Sequence, residues 1–100
     1  MSNYHEITLE EALTMTHAYQ NDPHFRGMTV AGKMDNSAFQ ELMSQPGCVA
    51  IRAYLAKNSN NELTMVYVGV DATGNDMTSG KIMNKMYRCP SDCPNNSPLM

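Results

Sequence analysis

Two runs of β-forming residues on either side of a short polar segment constrain this chain more than any other feature. Residues 48–57, CVAIRAYLAK, and 62–70, ELTMVYVGV, are rich in β-branched and aromatic side chains and flank NSNN. That pattern predicts an antiparallel hairpin. With Asn58 to Asn61 as the loop, Lys57 faces Glu62 as an opposite-charge pair. The same register sets Leu55 against Thr64, Ala53 against Val66, Ile51 against Val68 and Val49 against Val70. Strand side chains alternate between faces, so the other face holds Tyr54 with Met65, Arg52 with Tyr67 and Ala50 with Gly69. A slip of one residue would pair Leu55 with Leu63 and exchange the faces.

Helical signals lie ahead of the hairpin. Thr8 followed by Glu11 is a capping box, and Leu9, Ala12, Leu13, Thr16 and Tyr19 recur at helical spacing. Pro23 ends this helix, which is expected from Leu9 to Gln20. Residues 28–34, MTVAGKM, alternate as a short edge strand weakened by Gly32. Asp35 or Ser37 caps a second helix with Ala38, Phe39, Leu42 and Met43 as its apolar stripe, closed by Pro46. DATGND, residues 71–76, is a turn, and residues 77–88 suit a short strand followed by a helical turn. The last 12 residues hold three of the five prolines and predict irregular structure. The expected fold is therefore α+β: a small antiparallel sheet around the hairpin, two helices on one face, and an irregular tail. In that reading residues 1–88 form one compact domain and 89–100 a Cys/Pro tail.

Composition narrows the function classes. The formal charge is -3 and the seven basic residues are scattered, which is unlike the clustered basic footprint of a nucleic-acid binder. No run reaches the roughly 20 apolar residues of a membrane span, and MSNYHEITLEEA lacks the basic and apolar regions of a signal peptide. Neither nucleic acid nor membrane is an expected partner, and a reducing cytoplasm is the expected location. Three cysteines, an odd number, then default to free thiols.

Four groups of residues invite chemistry. Met83, Met86, Cys89 and Cys93 are soft donors of the kind that select copper(I), although the CxxxC spacing is not that of a structural zinc knuckle. If residues 80–88 are helical, Met83 and Met86 share a face. Cys48 follows a Pro-Gly turn, but no motif places His5, His17 or His24 beside it, so a core thiol is the expectation. DATGND spaces its oxygens like a calcium loop but lacks the sixth-position glycine and the twelfth-position glutamate. On the mixed face of the hairpin, Arg52, Tyr54, Met65 and Tyr67 are residue types found at protein interfaces or over an uncovered sheet face.

The block QPGCVAIRAYLAK, then ELTMVYVGVDATGND, then a Cys-Pro tail, resembles a group of small uncharacterised bacterial proteins. The likeness spans residues 8 to 95 and is most specific in QPGC, IRxY and VGVDxxGND. It implies a compact bacterial cytoplasmic domain and no activity, and it carries no functional residue across. The expected function is a non-catalytic binding or interaction protein, a homodimer or one taking a protein partner. It would act through Arg52, Tyr54, Met65 and Tyr67, without a cofactor. Soft-metal binding, of copper or zinc, by Met83, Met86, Cys89 and Cys93 is the alternative, and a thiol enzyme on Cys48 the third reading.

Overall fold

Thr8 opens the first helix as its sequence directs. Its hydroxyl accepts from the Glu11 N–H at 3.1 Å while the Glu11 carboxylate accepts from the Thr8 N–H at 3.0 Å. The computed structural model, which describes residues 3–100, places helix α1 at Leu9–Gln20. A 3₁₀ turn follows at Pro23–Phe25, then strand β1 (Ala31–Lys33) and helix α2 (Asn36–Met43). Strands β2 (Ala50–Lys57), β3 (Leu63–Val70), β4 (Ile82–Met83) and β5 (Tyr87–Cys89) complete the chain. The class is α+β, as expected.

The strands form two antiparallel sheets rather than one. Strands β2, β3 and β4 lie side by side in that order, and β1 pairs with β5. The edge strand expected over residues 28–34 shortens to Ala31–Lys33, with Ala31 opposite Cys89. Residues 80–88 hold two short strands and no helical turn, so the reason for placing Met83 and Met86 on one face is gone. The boundary expected at residue 89 falls inside β5, where Cys89 is 1% exposed. Beyond it the chain returns to α1: His17 Nε2 lies 3.0 Å from the Pro98 carbonyl oxygen, and Gln20 Nε2 donates to that of Leu99.

Among the described residues, α2 is the helix that packs on the three-stranded sheet. Phe39 meets Tyr67 edge to face with centroids 5.7 Å apart, and Leu42 is fully buried. Helix α1, expected on the same face, buries no residue. Its firmest tertiary contacts run through Tyr19, which stacks on Phe25 at 4.7 Å and donates to the Thr29 carbonyl at 2.8 Å.

The hairpin closes one residue away from the expected register, on the side opposite to the slip considered from sequence. Lys57 pairs with Leu63, Leu55 with Met65, Ala53 with Tyr67 and Ile51 with Gly69. The cause is Asn61, whose φ of 65° puts it in the left-handed region. Asparagine tolerates that region better than most residues, and it is the last residue of the Asn58–Asn61 turn, which its N–H closes on the Asn58 carbonyl. Asn58 then donates its N–H to the Glu62 carbonyl, and its side-chain oxygen accepts from the N–H groups of Asn60 and Glu62. Glu62 therefore does not face Lys57. Its carboxylate pairs with Arg88 at 2.5 Å and accepts from Asn58 Nδ2 at 3.0 Å.

The resulting core is small. Leu42, Val68, Val70 and Cys89 are its buried apolar residues, with Thr64 the buried polar one. The chain exposes 7660 Å², against about 5,700 Å² for a compact monomer of its mass. Its radius of gyration is 15.2 Å, where about 13 Å is usual for this length. This chain is spread flat, with extents of 41 × 40 × 24 Å.

Candidate functional site

The register separates the four residues expected to share one surface. Arg52 and Tyr54 stand beside Val68 and Val66 on one face, while Met65 and Tyr67 stand beside Leu55 and Ala53 on the other. A one-residue change in pairing moves a whole strand's side chains to the opposite side of its neighbour, so the expected patch does not exist as a unit. Tyr67 is largely accounted for by Phe39 and by its hydroxyl contact to the Met65 sulfur at 3.7 Å. The space at Gly69 is taken by Gln45, Cys48 and Met77, not by Arg52 or the tyrosines.

Arg52 and Tyr54 converge on an acid that sequence reasoning read only as part of a turn. Arg52 Nη1 donates to Asp76 Oδ1 at 2.5 Å, and the Tyr54 hydroxyl donates to Asp76 Oδ2. Tyr54, then Asp76, raise the Arg52 pKa. Asp76 is held in place from its own side by the loop before it. Asp71 Oδ1 accepts from Thr73 N–H, Thr73 Oγ1 and Asn75 N–H, and Gly74 takes a φ of +88°. These bonds, Thr73 first, hold the Asp71 carboxyl below its usual pKa. So VGVDxxGND has a structural account: Asp71 ties the loop, Gly74 turns it, and Asp76 clamps the edge strand.

An apolar concavity lies at the hairpin end of the other face. It is a cleft of about 570 Å³ between Leu55, Leu63 and Met65 on the hairpin and Tyr19, Phe25 and Met28 ahead of β1. Its size falls in the range of small-molecule sites. Among the described residues no charged side chain lines it, so it offers apolar contact and little to orient a polar substrate. Thr29, at its wall, donates to the Leu63 carbonyl at 2.6 Å and holds the two sides together. Leu55 is 74% exposed, an unusual position for a leucine in the middle of a strand. The correct register would have exposed this face in the sequence, and Asn61 was the signal for it.

The cysteines are arranged differently from the expectation of three thiols. Cys89 and Cys93 form a disulfide, with Cα atoms 4.8 Å apart, and Cys48 alone is free. A disulfide has no thiolate to offer a metal. Met83 sits on β4 opposite Tyr67, while Met86 lies against Gly32 in the wall of the cleft. Among the described residues, no group of three or more His, Cys, Asp and Glu is placed to hold a metal ion. Cys48 donates its S–H to the Ala50 carbonyl at 3.2 Å, whereas His17 engages the C-terminal segment and His24 pairs with Asp22.

Geometry thus defines a small α+β domain with an apolar cleft and an uncovered sheet edge. No family model, curated protein or solved structure matches the chain. Among the described residues no helix is long and apolar enough to cross a membrane.

Proposed function

We propose that this chain is a non-catalytic interaction protein that self-associates through the hairpin side of its three-stranded sheet. One observation supports it above the others: the chain leaves about 2,000 Å² more surface in water than a compact monomer of its mass. Leu55, Val49, Tyr54, Phe25 and Met28 are all exposed on or near the hairpin. Apolar surface of this kind is favourable to bury, at about 25 cal/mol per Å². The proposed setting is the cytoplasm, as the sequence leads one to expect; the Cys89–Cys93 disulfide, a bond that reducing compartments disfavour, stands against it. Soft-metal binding by Met83, Met86, Cys89 and Cys93 would first require the Cys89–Cys93 bond to be reduced.

Sedimentation velocity over a wide concentration range tests the proposal. The wild type is expected to move from the 11.1 kDa chain mass towards twice that value as concentration rises. Leu55→Asp should hold it at the monomer with its melting temperature unchanged, because Leu55 is exposed in the single chain. A wild type that stays monomeric throughout would overturn self-association.

A further inference from the structure

We infer that two copies of this chain pair edge to edge through β2, antiparallel about a two-fold axis at Tyr54, into one continuous six-stranded sheet. The inference rests on the self-association proposed above and names the surface that performs it.

Strand β2 lies at the edge of its sheet, with β3 on one side and, among the described residues, no strand on the other. Which of its backbone groups are free follows from the ladder. On β3, the carbonyls of Leu63, Met65 and Gly69 accept from Thr29, Asn84 and Met77, all on the side away from β2. Even-numbered β3 residues therefore face β2, and the register makes even-numbered β2 residues their partners. Ile51, Ala53, Leu55 and Lys57 turn their N–H and C=O groups outward, and among the described residues these groups have no protein partner.

Edges of this kind are normally blunted by proline, a bulge, charge or a covering loop. Residues 51–57, IRAYLAK, contain no proline or glycine. Of the two charges, Arg52 is drawn back onto Asp76 and Lys57 lies at the far end. Strand pairing needs outward residues opposite outward residues. Placing Ile51 opposite the partner's Lys57 and Ala53 opposite the partner's Leu55 uses all four such residues on each chain. Tyr54 then meets the partner's Tyr54 at a position without hydrogen bonds, where side chains approach most closely. In this arrangement small Ala53 faces the partner's Leu55, Arg52 faces the partner's Ala56, and no like charges oppose each other. Leu55 gains cover from the partner's Ala53. The excess surface exceeds the roughly 800 Å² per chain that a standard interface buries.

Cross-linking tests the register. In a Cys48→Ser background, Tyr54→Cys places two thiols on the axis with Cα atoms about 4.5 Å apart, within disulfide range. Mild oxidation should convert most of that variant to a covalent dimer. Arg52→Cys, in the same background, should give little, since those positions lie roughly 13 Å apart in this register. Ala53→Pro removes an outward N–H that β3 does not use and should weaken the dimer at least tenfold by sedimentation, with the circular dichroism spectrum retained. Should Ala53→Pro fail to fold, Leu55→Lys takes its place. A dimer that survives these substitutions, with no cross-link at position 54, overturns edge pairing and leaves self-association through another surface. A folded monomer at every concentration overturns both.

Discussion

Leu55 stands directly opposite Met65 across the β2–β3 ladder, on the side of the sheet away from Arg52 and Tyr54. From this pairing follow the location of the cleft, the exposure of Leu55 and the separation of the two tyrosines. It also makes the two hairpin positions Ile51 and Val68 unequal, although the expected register would have made them partners in one buried face.

Val68 is 3% exposed at the centre of the sheet, between Arg52 and Ile82 across its two ladders. Val68→Asn places an amide there and removes apolar contact, so a loss of about 3 kcal/mol is expected. Ile51 is half-buried on the other face, and Ile51→Asn should lose about 1 kcal/mol. Denaturant melts of the two variants decide it. Equal losses would restore the register in which they face each other.

Asn61 fixes the loop through its positive φ. Asn61→Val should destabilise by about 1–2 kcal/mol, since a β-branched residue is strained in that region. Asn61→Gly should be neutral or slightly stabilising. Thermal melts of both variants, read together, separate backbone strain from loss of the amide.

The pH dependence of stability should carry the signature of Asp71. Hydrogen bonds from Thr73 and Asn75 depress its folded pKa, so its contribution is present above the unfolded value and is lost as pH falls through the folded one. The unfolded value is about 4. Asp71→Asn keeps a side-chain acceptor but cannot ionise. It should melt below the wild type at neutral pH, and the gap should close as the pH drops below about 4. Glu11 and Glu62, whose values are also lowered by their hydrogen bonds, steepen the acid loss in both proteins. A gap that stays constant from pH 7 to pH 2 would contradict the assignment.

Thiol titration of protein purified without reductant should find one reactive cysteine per chain, Cys48, and three after reduction and unfolding. Cys89→Ser should lower stability by about 2 kcal/mol, from the loop-closure entropy of so short a ring. Three thiols in the unreduced protein would return Cys89 and Cys93 to the donor set of a soft-metal site. Peptide mass analysis of the labelled chain identifies which cysteines reacted.

Much of the local structure was legible because it depends on residues a few positions apart. The Thr8–Glu11 capping box and Pro23 bound α1 at the residues expected, and the two β-rich runs pair as a hairpin. The loop was where local signals competed. The attraction of Lys57 for Glu62 argued for one closure and the left-handed tolerance of Asn61 for another, and the backbone preference prevailed. Arg88 supplies the partner that Glu62 would otherwise have found in Lys57. That ion pair spans 26 residues and left no trace in the loop sequence.

Sequence by itself determined the class of fold, the helix boundaries and the place of the hairpin, since caps, turns and alternation act within a few residues. Tertiary structure decided which side chains share a face, that β1 finds β5 to make a second sheet, and that Cys89 meets Cys93. It also decided that α1 buries none of its own residues and that, among the described residues, β2 stays open at the edge. Those outcomes turn on a one-residue register and on contacts between distant segments. An alternating strand of mixed character such as AIRAYLAK presents a usable face in either direction, so its own sequence could not choose between them.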